Sequence, residues 1–453
     1  MSNISCILYP PTLDYHYLVQ RPQQLMKNFS ELNIPTFYLN SPSPHNADKH
    51  GVEMLNENFY LFNQVDPAAY LHNINPVIYY TSAAQTASLG KYNPSLVVFD
   101  SVDEPSDEFE AWRPYYDNAV RSADIVLTTS DKLYELAAGI NPNVYLVPNG
   151  CDYEHFANFI HGRPAEIANL PGPIIGYIGV VASWVDVDLI IRVADSYPDC
   201  SIVVVGPLYN ISEVPTRGNI HWVGFKAYEE LPAYAQSFDV GIIPFKASSM
   251  TEAVNPIKMW EYMATGMPIV TTNLPEASKY GDLVLVSAGA DDFIYNVGRA
   301  IAENSPEKRS ERMKLALENS WRVRASQIVA IIEERLALKG IAAAVPISQA
   351  VATPAAPAGQ GVEVIVPASS GTYSYSLNKR GHCVIKIYSA KKISLAKQKS
   401  PFIKTPRSRG RRLRRSITRR PVQGKVSSRP LVKVQGGVAF RYDTGRTIQR
   451  CVC

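Results

Sequence analysis

Short apolar runs rich in β-branched and aromatic residues alternate with longer amphipathic stretches over the first 340 residues. Runs of this length and composition are typical of buried parallel strands, and the stretches between them are long enough for helices. The runs occupy 5–9, 36–39, 77–80, 96–99, 125–128 and 144–147, and then, after a Pro-Gly-Pro joint, 174–178, 201–205, 240–243, 268–271 and 283–286. This repeated pattern predicts an α/β fold with two doubly wound Rossmann-like domains, whose ligand-binding loops follow the strands and face a cleft.

Composition changes near residue 340. An Ala/Pro-rich stretch predicts an extended linker, and the sequence after it is strongly basic. Of the 45 Lys and Arg residues, 22 lie after residue 340, together with only 2 of the 41 acidic residues. We expect a largely disordered arm, because its charges repel one another, and salt-dependent binding to nucleic acid, anionic lipid or an acidic glycan. The predicted units are 1–168, 169–340 with a last helix crossing back, the linker 341–371 and the basic tail 372–453.

Two observations bear on compartment and metals. The start of the chain shows no basic segment followed by an apolar one, and no apolar run reaches the length of about 18 residues that spans a bilayer. We therefore expect a cytoplasmic protein, held peripherally at the inner membrane face if the basic tail binds anionic lipid. The 6 cysteines lack ligand spacing, so the sequence predicts no metal site.

The segment 255–270 carries the most chemical information. Asn255 is a plausible N-cap and a candidate donor-binding residue, with Pro256 at the first helical position, and Gly266 ends the helix. Lys258 in the first turn opposes the helix dipole unless an anion such as phosphate lies nearby. Glu261, one turn further along, is placed to accept hydrogen bonds from ribose hydroxyls. The alternative is an ordinary solvated Lys258–Glu261 surface pair.

This segment resembles the Pro-x-Lys-x-x-Glu-Tyr-x-Ala-x-Gly-x-Pro-x-Val signature of nucleotide-sugar glycosyltransferases with the GT-B fold, in particular retaining glycosyltransferase family 4. Other segments resemble the family in the expected order along the chain, and together they cover most of residues 1–335. They are Ala123–Ser130, the Pro-Asn-Gly turn in 147–156, Gly224-Phe225, 230–234 and 239–245.

The resemblance implies a donor-binding second domain and an acceptor-binding first domain. It implies that Glu261 binds the nucleotide ribose and that Lys258 binds the diphosphate, where it also supports departure of the leaving group. It further implies a hexosyltransferase that acts with retention, without a metal and without a cofactor other than the nucleotide-sugar substrate. Enzymes resembling teichuronic-acid glycosyltransferases share the Arg-Pro-Gln-Gln-Leu segment found at 21–25.

The sequence also departs from the family pattern. Gly179 is present after the first strand of the second domain, but Val180 and Val185 occupy the places of an arginine and a lysine that grip the diphosphate. An earlier family glutamate falls on Ala253, and the neighbouring Glu252 is a candidate substitute. Arg21 stands where the family has a glycine pair. Its guanidinium is predicted either to reach a donor phosphate or anionic acceptor, or to pair with a surface acid.

A cluster of acids follows the apolar run at 96–99. One of them is predicted to act as a base on an acceptor hydroxyl, with Asp103 as first choice and Asp100 as second. The alternative is that Ser106 and Asp107 cap a helix and that the remaining acids are solvated.

These features predict a glycosyltransferase that moves a sugar from a nucleotide-diphosphate sugar to a glycan or lipid-linked acceptor, in cell-envelope or surface polysaccharide synthesis. Two other classes of function stay open. A catalytically weakened GT-B protein would have a structural glycan-binding or coat role. In the other class, the main function would be to bind polyanions through the basic tail, and the folded body, residues 1–340, would be only an accessory.

Overall fold

The first lobe is built on a sheet of eight strands. The computed structural model describes residues 4–158, 162–302 and 305–340, and six short strands beyond them. The sheet order is β3-β4-β2-β1-β5-β6-β7-β8, and every strand is parallel to its neighbour except β3, which is antiparallel to β4. The strands are β1 (Ile7–Tyr9), β2 (Thr36–Leu39), β3 (Gly51–Asn56), β4 (Phe59–Asn63), β5 (Val77–Tyr80), β6 (Leu96–Ser101), β7 (Ile125–Thr128) and β8 (Val144–Leu146).

Helices cover both faces of this sheet, as parallel strands buried on two sides require. The aromatic residues of the central strands are fully buried between them, for example Tyr9, Tyr38 and Tyr79. The α-helices are α1 (Arg21–Glu31), α2 (Arg113–Ser122) and α3 (Asp131–Ala138), and 3₁₀ segments span Pro67–Tyr70, Ala83–Tyr92 and Asp107–Trp112.

The second lobe has an all-parallel sheet of six strands in the order β11-β10-β9-β12-β13-β14. This is the Rossmann order, in which the chain reverses direction across the sheet between β9 and β12 and opens a crevice at the carboxyl ends of those strands. The strands are β9 (Ile174–Ile178), β10 (Ser201–Val205), β11 (Ile220–Gly224), β12 (Val240–Ile243), β13 (Ile269–Thr271) and β14 (Val284–Val286).

The helices of the second lobe differ widely in length, and the last helix of the body returns to the first lobe. Trp321, Ile328 and Ile332 of this helix, α12, belong to the same buried cluster as Leu25 of α1. The helices are α4 (Tyr153–Ala157), α5 (Val187–Ser196), α6 (Leu231–Ala235), α7 (Ser249–Glu252), α8 (Ile257–Thr265), α9 (Pro275–Ser278), α10 (Ala290–Ala302), α11 (Pro306–Glu318) and α12 (Trp321–Leu338), with 3₁₀ turns at Tyr228–Glu230 and Gly281–Leu283.

The chain enters the second lobe earlier than the boundary predicted at 168. Cys151, Phe156 and Ile167 are buried in the core of the second lobe. The Pro-Asn-Gly turn, which ends at Gly150, therefore marks the crossing. Phe156 of α4 explains the difference, because its side chain is fully buried in that core.

Thr353–Cys453 form a separate compact unit. Its described parts pair as antiparallel strands: β15 (Glu363–Val364) with β20 (Cys451–Val452), β16 (Thr372–Leu377) with β17 (Cys383–Tyr388), and β18 (Val432–Lys433) with β19 (Ala439–Phe440). Most of the predicted linker and basic tail lies outside the described residues. None of the helices that the structure describes has the length and apolar character needed to cross a bilayer.

Candidate functional site

Helix α8 presents its first turn at the crevice of the second lobe. It follows β12 and precedes β13, so its amino terminus lies near the carboxyl end of the parallel sheet. Pro256 occupies the N-cap position, one residue later than predicted, and the helix begins at Ile257. Gly266 ends it in the left-handed conformation, with φ 77°. The predicted start and stop are thus correct to within one residue, but Asn255 is not the cap.

The ammonium of Lys258 lies beside two aromatic rings. Within the described residues its ammonium forms no ion pair or hydrogen bond, and Nζ lies instead 5.4 Å from the ring centre of Tyr177 and 4.7 Å from that of Phe245. Burial lowers the pKa of Lys258 to about 8, and the nearby Glu261 opposes this shift. A desolvated ammonium beside a helix amino terminus favours an anionic ligand, because both supply positive potential at the same place.

Gly179 lets the lysine lie against the loop that follows β9. It has a φ of 144°, which favours glycine, and a Cβ there would come within 2.8 Å of Lys258 Cε. A larger residue would therefore push the lysine side chain away. The structure brings Gly179 and Lys258 together as the predicted donor site required.

Glu261 lies one helical turn beyond Lys258 and is only 8% exposed. Its carboxylate has no hydrogen-bond donor in the part of the chain that the structure describes. Burial raises the pKa of Glu261 to about 7; Lys258 lowers it and Asp152 raises it further. The predicted alternative, a solvated surface pair with Lys258, does not fit this burial or the absence of a salt bridge between the two side chains among the described residues.

Asp103 follows β6 and is the first-choice base from the sequence. Its side chain accepts no hydrogen bond from any described residue. Burial, with a further contribution from Asp100, raises the pKa of Asp103 to about 7. A carboxylate with this pKa gains and loses protons near neutrality, as a general base must. The structure therefore keeps Asp103 as a candidate.

Asp100 and Arg21 form an ion pair with each other. Arg21 Nε donates to Asp100 Oδ2 at 2.7 Å and its Nη2 donates to Oδ1 at 3.0 Å, while the Tyr79 hydroxyl donates to Oδ2 at 2.5 Å. Both charged side chains are almost fully buried. This geometry argues against Asp100 as a base and against Arg21 as a phosphate ligand. Arg21 does pair with an acid, as the alternative prediction held, but the pair is buried and does not lie on the surface.

The buried pair continues into a polar chain that joins the lobes. Arg21 Nη1 donates to the Pro148 carbonyl at 3.1 Å and to Asn149 Oδ1 at 3.2 Å. Asn149 Nδ2 donates to the Asn255 carbonyl at 2.6 Å, and its backbone N–H donates to Asn255 Oδ1 at 3.2 Å. Asn255 Oδ1 also accepts from Trp260 Nε1 at 2.9 Å. Asn255 was predicted to bind the nucleotide-sugar donor, but its polar groups instead hold the start of α8 in place.

Glu252, the candidate substitute for a donor-binding glutamate, faces the other lobe. Its carboxylate pairs with Lys132 of α3 at 3.1 Å, and Lys132 also pairs with Glu104 at 2.9 Å. The Glu252 side chain is 59% exposed. It does not converge with Lys258 and Glu261, so the structure gives it a role at the edge of the lobe interface.

Two polar side chains near Glu261 escaped the sequence reasoning. Gln24 and Tyr228 lie next to each other, and Gln24 Oε1 is buried without a hydrogen-bond donor among the described residues. Gln24 lies inside the Arg-Pro-Gln-Gln-Leu segment, in which the sequence predicts a binding role only for the arginine. Tyr228 has no local sequence signal, because it approaches the site through the fold. Among residues 4–158, 162–302 and 305–340, no group of three His, Cys, Asp or Glu side chains is arranged to hold a metal ion.

Two Rossmann-like lobes with a last helix that crosses back to the first lobe define a GT-B fold. Residues 172–303 match the family model for Glycosyl transferases group 1, which covers the strand, loop and helix that carry Gly179, Lys258 and Glu261. The "putative teichuronic acid biosynthesis glycosyltransferase TuaH" of Bacillus subtilis (strain 168) is 30% identical over 226 residues. That match covers 46% of this chain and 57% of the relative, so it spans little more than half of the relative's length.

Solved structures show the same architecture. Sucrose-phosphate synthase from Thermosynechococcus elongatus superposes with a TM-score of 0.57 at 14% identity, covering 74% of this chain and 100% of that chain. HepE of Anabaena in complex with UDP and glucose gives 0.54 at 14% identity, covering 72% and 98%. The predicted GT-B fold is confirmed, and the chain is similar to glycosyltransferases that include a teichuronic-acid one.

Proposed function

We propose that this protein is a glycosyltransferase that transfers a sugar from a nucleotide-diphosphate sugar to a glycan or lipid-linked acceptor of the cell envelope. The observation that carries the proposal is the pair of desolvated charges on the first two turns of α8, Lys258 and Glu261, which have no hydrogen-bond partner among the described residues. The match of residues 172–303 to a glycosyltransferase family model supports it. The similarity to TuaH supports the cell-envelope role, and the UDP complex of HepE supports the class of donor.

Each group has a role in this reaction. Lys258 and the N–H groups at the start of α8 bind the diphosphate, and Gly179 leaves room for the lysine beside it. As the bond from the anomeric carbon to the phosphate oxygen breaks, negative charge grows on the diphosphate, and a pre-oriented cation at that position stabilises it. Glu261 accepts hydrogen bonds from the ribose. Both charges then gain the partners that they lack in the free protein.

Asp103 is the base in this proposal. It takes the proton from an acceptor hydroxyl, and the oxygen of that hydroxyl bonds to the anomeric carbon on the same face from which the nucleoside diphosphate leaves, as retention requires. A hexosyl donor, retention at the anomeric carbon and independence from metal are further parts of the proposal. The anomeric configuration of the product, read by NMR, tests retention directly.

A panel of UDP-, GDP- and ADP-sugars tests the activity. Nucleotide release is expected from wild type with one donor, and Glu261→Gln and Lys258→Met should reduce it at least tenfold. Glu135→Gln, on the exposed face of α3, is a matched control and should keep full activity. Release that is equal in all four proteins would contradict the proposed donor site.

A catalytically weakened glycan-binding protein is the second candidate, and one observation favours it. Val180 and Val185 replace the arginine and lysine expected at the diphosphate, and Val185 is buried, with only 1% exposed. Lys258 must therefore neutralise the leaving group without these cations. Tight binding of a sugar nucleotide with no release in the presence of envelope glycan acceptors would select this second function.

The basic tail is proposed to hold the protein at an anionic surface, such as the cytoplasmic face of the membrane. The 22 Lys and Arg residues after residue 340 supply the charge. Truncation after residue 345 should leave turnover on a soluble acceptor unchanged and abolish sedimentation with vesicles of anionic lipid. Sedimentation that persists after truncation would refute the anchor.

A further inference from the structure

The buried carboxylate of Glu276 lies at the contact between the two lobes. Glu276 is the second residue of α9 in the second lobe and is only 2% exposed. Its Oε1 accepts a hydrogen bond from the backbone N–H of Asp131, in the first lobe, at 3.0 Å and another from Lys279 Nζ at 2.7 Å. Its Oε2 accepts from Asn255 Nδ2 at 3.1 Å. All three partners are donors, so both carboxylate oxygens are needed as acceptors.

The contact with the first lobe is made at the start of α3. Asp131 is the first residue of that helix, where a backbone N–H has no partner within the helix and the helix dipole is positive. A carboxylate satisfies both conditions, and a hydrogen bond to a charged group is stronger than one between neutral groups. Lys279 also pairs with the Asp131 side chain at 2.9 Å, but that side chain is 61% exposed, so this pair contributes little. The backbone N–H is therefore the contact that fixes α3 against Glu276.

Asn255 carries this contact to the start of α8. Its Oδ1 accepts from Trp260 Nε1 at 2.9 Å, and the indole N–H can only donate. Its Nδ2 therefore points to Glu276, whose ionised carboxylate can only accept. A donor on one side and a carboxylate on the other thus fix the orientation of the Asn255 amide. The first turn of α8 follows directly, so Glu276 helps to set the position of Lys258, three residues after Asn255.

We propose that Glu276 is a positioning residue that couples the seating of the first lobe against the second to the geometry of the diphosphate site on α8. The inference rests on the proposed function and adds to it a residue that acts through its neighbours. While α3 lies against α9, the Asp131 N–H holds Glu276, and Glu276 holds Asn255. Separation of α3 from α9 removes one donor from the carboxylate, and Asn255 and Lys258 are then less firmly held.

The pattern of donors and acceptors allows a reciprocal exchange of side chains. In Glu276→Gln the amide accepts at one end only, so either orientation places its NH₂ group against the Asp131 N–H or against the Asn255 amide donor. Asn255→Asp creates the opposite conflict, because two carboxylates then face each other. The double variant Asn255→Asp/Glu276→Gln exchanges the amide and the carboxylate. It restores a donor opposite every acceptor and leaves the net charge unchanged.

The first test changes the first lobe alone. Asp131→Pro removes the N–H that Glu276 accepts, at a helix position where proline is favourable. Ser130 before it already has the extended backbone that proline requires of the preceding residue, with φ −144° and ψ 161°. Asp131→Ala removes only the exposed side chain and is the matched control. UDP, GDP and ADP are titrated into each protein by calorimetry.

For the nucleoside diphosphate that binds, Asp131→Ala should bind like wild type, and Asp131→Pro should bind about fivefold more weakly or worse. This loss is part of what one hydrogen bond to a charged group is worth. A role confined to the stability of the second lobe would not respond to a backbone N–H of the first lobe.

The second test is the exchange. Glu276→Gln and Asn255→Asp should each weaken binding of the same nucleoside diphosphate about fivefold or more, and the double variant should recover most of the loss. Circular dichroism and urea unfolding show whether each variant is folded under the conditions of the titration. If a single variant does not fold, the comparison of Asp131→Pro with Asp131→Ala decides alone.

The outcomes separate the two proposals. If wild type binds a nucleoside diphosphate and Asp131→Pro binds it as tightly as Asp131→Ala does, the positioning role is overturned and the proposed function stands. A double variant that binds no better than the weaker of its two single variants would also overturn the positioning role. A failure of wild type to bind UDP, GDP or ADP would overturn the proposed function, and the inference with it.

Discussion

Replacing Glu261 by Gln should stabilise the free protein while weakening its ligand site. Burial raises the pKa of Glu261 from 4.5 to about 7, so the fold disfavours the charged carboxylate. Each tenfold change in the acid constant is worth about 1.4 kcal/mol, which makes the full cost about 3 kcal/mol above pH 7. This cost is already net of the favourable neighbour Lys258, which lowers the pKa of Glu261. We therefore expect a gain of about 3 kcal/mol in the free energy of unfolding above pH 7.

The gain must depend on pH in a defined way. Because the pKa is raised in the folded state, the contribution of Glu261 to stability is fully present below pH 4.5 and is lost as the pH rises through about 7. Glutamine is neutral at every pH. The two proteins should therefore have similar stability near pH 4.5 and diverge up to about pH 7. Urea unfolding of wild type and variant at pH 4.5, 5.5, 6.5 and 7.5 measures this difference.

Two results would refute the reasoning that the buried Glu261 carboxylate destabilises the free protein. One is a difference in the free energy of unfolding that stays constant from pH 4.5 to 7.5, and the other is a variant that is less stable than wild type at pH 7.5. Glu135→Gln is the control for the loss of a surface charge, and no comparable divergence is expected for it. The same Glu261→Gln protein should bind the nucleotide donor at least tenfold more weakly. The combination of higher stability and lower affinity is what a preformed binding site predicts.

Three further substitutions separate the roles in the site. Asp103→Asn should lower turnover at least a hundredfold with donor affinity unchanged, and the rise of the wild-type rate through about pH 7 should disappear; an unaltered pH–rate profile would exclude Asp103 as the base. Lys258→Met should weaken binding of a nucleoside diphosphate far more than that of the nucleoside, as measured by calorimetry, and equal effects on both would place the diphosphate elsewhere. Arg21→Met should cost about 3–5 kcal/mol in urea unfolding, because it leaves Asp100 buried and unpaired; a change below about 1 kcal/mol would contradict the buried pair.

The sequence pattern predicted the central strands because their side chains are buried on both faces. It missed β3, β4 and β11. β3 lies at the edge of its sheet and alternates partly buried residues with exposed ones such as Asn56, so it has no continuous apolar run. β11 reads Ile-His-Trp-Val-Gly and lies at the edge of the second sheet, where most of its residues are only partly buried. β4 reads Phe-Tyr-Leu-Phe-Asn and is mostly buried, so it has the same apolar pattern as the predicted strands.

The part of the candidate site that lies on one short segment, α8, could be predicted from the sequence. Lys258 and Glu261 stand three residues apart on one helix, so their common face follows from helical geometry alone. Arg21 and Asp100 are 79 positions apart, and nothing in local spacing shows that they form a pair. The same holds for Gln24 and Tyr228, whose approach requires both lobes to be folded and assembled. Contacts between lobes are set by tertiary packing, which a single sequence does not display.

The buried pair of Arg21 and Asp100 gives a physical reason for an arginine at the start of α1. Asp100 is the second-last residue of β6, the strand that leads to Asp103, and Arg21 connects it through Asn149 to Asn255, two residues before α8. A buried ion pair contributes little net stability but fixes geometry, because each charge is costly unless the other stays in place. The two lobes are thus held in one register by polar contacts. A glycine pair in place of Arg21 would leave space in the loop for a phosphate but would remove this connection between the lobes. The polar chain would then no longer fix the position of Asp103 relative to Lys258.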